Sequence, residues 1–360
     1  MDLPSRFGTV LQSESLRPRV NRIVVVLLVL DVVYVVCANV FLRSGLLLQL
    51  INKKPEKTSF NWDSAVTYLP GFATVEGFTL RSQTPKDQVY VHVVEADARI
   101  SLVKLIFKTI HIRGVDAREV DFRYRERLDR PPKAGQDEEP PGPPQNLEYF
   151  PEIPGFSNPP DPKPEDLYPR KKKKHPWTIK ITGADVEGPV TVAVNGFRLE
   201  GEGSVGGGVT VKPRKTIKIH RGRLGLDSTK VTFGQEVLTD SLSITSDLQF
   251  ESFPAKGAKV ADVIGGISGT LFLAGRLGEK AAVSQEITPG ITTFGAGVIA
   301  AHLRFKNGVL RTGSRYSLQS DGFHVMIRVV DATGCADIEG RNVKESGEHV
   351  WSLKVMFGDL

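Results

Sequence analysis

Only two cysteines occur in 360 residues, Cys37 and Cys335. A structural disulfide is not expected from so distant a pair, and the thiols do not report the compartment. The seven histidines (92, 111, 175, 220, 302, 324 and 349) never fall at metal-ligand spacing, and neither cysteine lies near one of them. There is no Gly-x-Ser-x-Gly elbow and no His-Glu-x-x-His, so the sequence gives no case for catalysis and none for a cofactor. No Asn-x-Ser/Thr acceptor exists, which argues against a glycosylated ectodomain. Gly201 to Gly206 matches GxGxxG. A dinucleotide site needs a helix next, however, and Val209-Thr-Val211 reads as another strand.

What is present begins with one apolar run, Ile23 to Leu42, whose only clearly polar residues are Asp31 and Asn39. Twenty residues at about 1.5 Å each make a helix of about 30 Å, the thickness of a bilayer's hydrocarbon core. The run continues past Val36-Cys37-Ala38, a passable cleavage site, and is therefore read as an uncleaved anchor. Asp31, near its middle, costs about 2.5–3.5 kcal/mol on insertion scales. It reads either as a contact with a partner helix or proton path, or as a tolerated acid. Arg6, Arg17, Arg19 and Arg22 before the run balance Arg43, Lys53, Lys54 and Lys57 after it, so the positive-inside rule ties. A short tail before a large β body then favours the tail in the cytoplasm. Gly45 to Ile51, trailed by Lys53 and Lys54, suits a short helix or turn at head-group level.

Beyond the anchor the pattern is β. Val89, Val91 and Val93 share one face of a strand, and Val120, Phe122 and Tyr124 alternate with Asp121, Arg123 and Arg125. Ile110 and Ile112 alternate with Thr109, His111 and Arg113. These eight apolar residues are the candidates to line a groove. A closed sandwich core would show the same alternation. Residues 131–169 hold 13 prolines, which predicts an extended, solvated excursion and no packed element. It ends in Arg170, Lys171, Lys172, Lys173 and Lys174, either an anionic-surface contact or a solvated charge run.

Strands are predicted again at Trp177–Ile181, Val190–Val194, Phe197–Leu199, Thr216–Ile219, Lys230–Phe233 and Ser243–Phe250, with a short helix near 257–265. Asn195-Gly196 favours a tight hairpin that sets Val194 opposite Phe197, a single strand with a bulge being the alternative, and Asn307-Gly308 marks a further turn. The division that follows is a tail (1–22), an anchor (23–43), a first β segment (44–130), the excursion (131–175), a second β segment (176–278) and a third (279–360). The last strand runs almost to the terminus, as it would in a chain that continues. The net charge of +6 suits anionic head groups or nucleic acid and proves neither; no nucleic acid is expected as a partner.

Several stretches resemble the AsmA-like family of bacterial envelope proteins, relatives of TamB and YhdP. They are the N-terminal span, Trp62-Asp-Ser-Ala65 through Leu69-Pro-Gly71 to Val75-Glu-Gly-Phe78, and Ala96-Asp97 through Leu102 to Ile110–Val115. Leu271–Gly275 and Phe305–Leu310 look like the repeated strand-turn phrases of these proteins. The resemblance implies an all-β fold, a long folded-over antiparallel sheet with an apolar, groove-like inner face, held in the periplasm by one inner-membrane helix. It implies phospholipid transfer or outer-membrane maintenance, with phospholipid, the inner membrane and a further envelope protein as partners. About 250 ordered residues, at ~3.3 Å along strands and ~4.8 Å between them, fall short of a complete periplasmic bridge. The alternative is a periplasmic scaffold or assembly factor that offers a sheet edge to outer-membrane proteins without carrying lipid. An envelope hydrolase is the weakest reading.

Overall fold

The computed structural model describes residues 17–128, 150–162, 177–213, 215–234, 236–254, 265–278, 291–294, 297–327, 330–345 and 348–358. Helix α1 (Arg17–Arg43) contains the apolar run, and its segment Asn21–Arg43 is long and apolar enough to cross a membrane. Most of its apolar side chains are exposed, with Val35 and Leu42 partly covered. Gly45, in the left-handed region at φ 70°, turns the chain into α2 (Leu46–Ile51), where a short element was predicted.

Two asparagines fasten these helices to the sheet by the same device. Asn39 Nδ2 donates to the Thr67 carbonyl at 2.7 Å, and the Thr67 N–H donates to Asn39 Oδ1 at 2.9 Å. Asn52, which caps α2, makes the same pair with Phe60, at 2.7 and 2.8 Å. A side-chain amide carries an N–H donor and a carbonyl acceptor side by side, so it can complete a strand residue as a neighbouring backbone would, and the second Asn39 N–H donates to the Val35 carbonyl at 2.8 Å.

The remainder is all-β, one large mixed sheet that is not closed. Its first strands are β1 (Thr58–Asn61), β2 (Ser64–Val66), β3 (Phe72–Gln83) and β4 (Asp87–Ile100), followed by the short helix α3 (Leu102–Ile106) and β5 (Thr109–Glu126). After the excursion come β6 (Thr178–Val194), β7 (Phe197–Lys212), β8 (Thr216–Ile219), β9 (Gly222–Phe233), β10 (Glu236–Phe250) and β11 (Phe253–Pro254). The chain continues through β12 (Ile267–Leu277), β13 (Ile291–Phe294), β14 (Gly297–Lys306), β15 (Val309–Leu310), β16 (Arg315–Ile327), β17 (Val330–Glu345) and β18 (Glu348–Gly358). The main ladder runs β3-β4-β5-β6-β7-β9-β10-β12-β14-β16-β17-β18. Val194 pairs with Phe197 across Asn195-Gly196, and Lys306 with Val309 across Asn307-Gly308, as the turn residues predict.

Three features depart from the sequence reading. First, the strands are longer: Trp177–Ile181 and Val190–Val194 belong to one strand, β6, which runs through Gly183, Gly188 and Pro189. Gly188-Pro189 coincides with a register shift against β5, so residues that ordinarily break a strand here make a bulge within one.

Second, β5 and β6 pair in parallel, in a sheet expected to be antiparallel throughout. A parallel neighbour requires the chain to return to its starting end across a face of the sheet.

Third, part of that return is packed, contrary to the solvated excursion expected. Residues 150–162 bury Ile153 and Pro160 completely. Proline-rich backbone offers carbonyls with few N–H groups of its own. Arginines of the sheet supply the donors: Arg81 to Pro154 O (3.2 Å), Arg123 to Glu152 O (2.5 Å), and Arg125 to Pro151 O (3.1 Å) and Ser157 O (2.5 Å). The short helix expected near 257–265 falls, apart from its last residue, outside the described residues.

Candidate functional site

The two faces of the sheet separate cleanly once the register is followed across strands. Direct cross-strand partners share a face. Starting from Val75 on β3, that row reads Val75, Ala96, Ala117, Val186, Val205, Leu224, Ser246, Leu271 and Leu303, ending on β14. Only Ser246 interrupts it. One residue along each strand, on the other face, the row reads Glu76, Glu95, Arg118, Glu187, Ser204, Gly225, Thr245, Phe272 and His302.

Six of the eight groove candidates lie together on the apolar side. Val89 pairs with Tyr124, Val91 with Phe122 and Val93 with Val120. On β3 they meet Ser82, Leu80 and Phe78, and on β6 Val194, Val192 and Val190. The band continues to Phe197 and Leu199, then to Phe233 and Val231 on β9. Phe197 and Phe233 pack with ring centroids 4.5 Å apart and planes tilted by 51°. Six strands at about 4.8 Å make this band about 24 Å wide.

Between this band and the Val75 row lies a transverse line of kinks. Gly77 (φ 61°), Glu119 (φ 53°), Gly188 (φ 96°) and Gly203 (φ 154°) occupy corresponding positions on β3, β5, β6 and β7. On β3, β4 and β5 the apolar set changes parity there, on β4 from Val89, Val91 and Val93 to Ala96, Ala98 and Ile100 with Asp97 and Arg99 exposed, whereas on β6 and β7 it keeps one parity. Kinks that re-aim side chains let one apolar stripe continue along strands that would otherwise turn it over. At Gly77 a Cβ would come within 2.0 Å of Asp63 Oδ2, and at Gly203 within 2.0 Å of the Gly225 carbonyl, so both require glycine.

Ile110 and Ile112 form a separate group near the sheet end that adjoins α1. Ile112 pairs with Ile100 and Ile181, and Ile110 with Ile179. Asp31 lies mid-way along α1, and residues 170–174 fall outside the described residues.

Few of the apolar residues are sealed. Among the described residues the buried apolar set is Ala65, Tyr90, Val93, Ala117, Ile153, Val190, Ala193, Leu226 and Ile244. Val89, Val91, Phe122, Tyr124, Leu224 and Leu271 stay partly exposed. The polar side of β4 and β5 is the sealed one. Arg125 and Gln88 have 0% of their surface exposed, and Arg125 Nε donates to Gln88 Oε1 at 2.8 Å. Burial lowers the Arg125 pKa, with Asp161 and Glu152 acting against that shift. Arg123 is held doubly by Asp121 at 2.6–3.1 Å, which raises its pKa, and it lies over the Tyr90 ring. The Tyr124 hydroxyl donates to Asp87 at 2.8 Å, and burial together with that bond raises its pKa.

Local pattern alone assigns no role to Asn39, Thr67, Arg125 or Gln88. Asn39 could have been found, as an amide in an apolar helix that needs a partner. The others depend on long-range register. Among the described residues no group of three His, Cys, Asp or Glu is placed to hold a metal ion. No protein-family description matches the chain, and no curated protein matches it in sequence.

Proposed function

We propose that this protein is an AsmA-like, inner-membrane-anchored periplasmic protein whose apolar sheet face shelters phospholipid acyl chains, in lipid transfer or envelope maintenance. The observation that carries the reading is the row from Val75 to Leu303, apolar at eight of nine positions and partly exposed except at Ala117 and Ser246, with a mainly charged and polar row opposite. A soluble protein ordinarily covers such a face with a second layer. Here the described part of the connection between β5 and β6, residues 150–162, lies on the polar side. Transfer of acyl chain onto the apolar face is driven by removal of apolar surface from water, about 2.5 kcal/mol for each 100 Å². Head groups stay in solvent, so no polar pocket is required.

Native mass spectrometry of the full-length, detergent-extracted protein tests this. Phospholipid co-purifies with the wild type, and is lost from Val91→Glu and Leu224→Glu variants that retain the β circular-dichroism spectrum. Wild-type protein free of bound phospholipid, after extraction in a mild detergent, sinks the proposal.

A further inference from the structure

One end of the sheet carries a rim of exposed apolar side chains that the groove does not use. It is built from three segments: the turn after β2, helix α3 with its flanks, and the start of β6. Tyr68, Leu69, Val103, Ile106, Phe107 and Trp177 project from them, Ile106 with 79% and Phe107 with 69% of their surface exposed. Hydrogen bonds join the segments into one unit. Thr67 Oγ1 donates to the carbonyls of Leu69 (3.0 Å) and Phe72 (2.5 Å), and the Ile100 N–H to Gly71 O (2.6 Å). The Ser101 N–H donates to His111 O (2.8 Å), and the Thr178 N–H to Lys108 O (3.0 Å).

Two further observations say what covers this rim. The first is its position. Thr67 is bonded on both its backbone groups to Asn39, four residues and about 6 Å of helix before Arg43, where the apolar segment ends. A bilayer that accommodates Asn21–Arg43 therefore places Thr67, where the turn begins, below its own surface. The second is charge. Residues 66–75, 98–115 and 177–184 contain no aspartate or glutamate, but contain Arg99, Lys104, Lys108, Arg113 and Lys180. Apolar side chains with interspersed cations match a leaflet of anionic phospholipid, acyl chains below and phosphates around.

We infer that this rim is embedded in the leaflet at the C-terminal end of α1, with its lysines and arginines on anionic head groups. Ile110 and Ile112 then stand at the lipid boundary, where the apolar face begins. The inference rests on the reading of α1 as a membrane anchor and of the face as a lipid path. It gives that path an entrance at the membrane.

The test uses the full chain, with Cys37→Ser and Cys335→Ser, reconstituted in vesicles of phosphatidylglycerol and phosphatidylethanolamine. Single cysteines at Val103, Ile106 and Val298 carry an environment-sensitive fluorophore, and the quencher is a lipid labelled on its acyl chain. Val298 is also exposed but lies at the other end of its strands. Quenching at least three-fold stronger at 103 and 106 than at 298 is expected. Lys104→Glu/Lys108→Glu weakens it in these vesicles more than in phosphatidylcholine alone. Equal quenching at the three sites, or a charge reversal without effect in both lipids, overturns the inference. Brominated-lipid quenching of the otherwise unaltered chain against its Trp177→Phe variant gives the same answer without labels: a loss of quenchable signal is expected, and no difference overturns it. Quenching at the rim without co-purifying phospholipid defeats the groove alone; bound phospholipid without quenching defeats the rim alone.

Discussion

The two faces of β4 and β5 differ in the direction opposite to an ordinary soluble domain. The polar face, with Arg125, Gln88 and Tyr90, is closed over by residues 150–162, while the apolar face, with Val89, Val91 and Phe122, stays partly open. Burying an arginine is costly unless its donors are all used. The fold comes close to that condition: each of the three guanidinium nitrogens has a partner, and four of the five N–H groups are placed on Gln88 Oε1, two strap carbonyls and Asn158 Oδ1. The sealed face is therefore held by directional bonds, and the open one is apolar. Such a division suits a surface on which the guest is a hydrocarbon chain without directional contacts.

The largest expected effect breaks the sealed side. Arg125→Met leaves the carbonyls of Pro151 and Ser157 and the Asn158 and Gln88 oxygens without their donor, a loss of about 3–5 kcal/mol by analogy with broken buried pairs. The denaturation midpoint falls, and protease cuts within 150–162 first. A loss under about 1 kcal/mol would mean the strap is not held by its arginine. Next, Asn39→Ala removes both bonds to Thr67 and should cost about 2 kcal/mol of docking. Spin-label distances between α1 and β3 broaden, while the circular dichroism of the sheet is unchanged. A distance distribution as narrow as the wild type's would show that α1 is positioned by something else.

The open side should answer more mildly. Phe122→Ala in a close-packed core costs about 3–5 kcal/mol. On a face left partly exposed we expect about 1–2 kcal/mol, because less contact is lost and no cavity forms. Measured in lipid-free protein, a loss at the higher figure would show that the apolar face is sealed by the protein itself, and the contrast between the faces would collapse.

Much of this was legible in the residues. The apolar run, the element at 46–51 and the turns at 195–196 and 307–308 follow from local chemistry, and so does the pairing of Val194 with Phe197. Local parity also grouped Val89, Val91 and Val93, and separately Val120, Phe122 and Tyr124. What it lacked was register, which is set between strands far apart in sequence. The row from Val75 to Leu303 therefore does not appear in any single window. Glycine and proline misled for a related reason: Gly183, Gly188 and Pro189 punctuate a sequence but only bend β6, since its neighbours hold it in place. Prolines at 151–162 read as solvated because their partners, Arg81, Arg123 and Arg125, lie on other elements.

The smallest expected effect concerns acid, and it sharpens the contrast at the rim. His111 and His220 both have pKa values below the ordinary histidine value, through burial first and then neighbouring cations: Lys180, Arg113 and Lys104 for His111, and Lys218 and Lys180 for His220. Each bonds a threonine hydroxyl, Thr182 at 3.2 Å and Thr210 at 2.9 Å. A lowered pKa means the unfolded chain takes up these protons first. Stability is therefore full above about pH 6.5 and declines as pH falls through that value toward the lower folded pKa values. Asp247, whose pKa Arg221 lowers, adds its own loss only in the range of ordinary carboxylates and below. Between about pH 6.5 and 4.5 the slope therefore belongs mainly to the histidines. His111→Asn/His220→Asn should flatten that part of the unfolding-versus-pH curve, and added salt should shrink it by screening the lysines. A slope unchanged in the double variant would place the acid sensitivity elsewhere. A slope that becomes smaller on reconstitution into anionic vesicles than in neutral ones would mean that head groups neutralise the cations around His111, as an embedded rim requires.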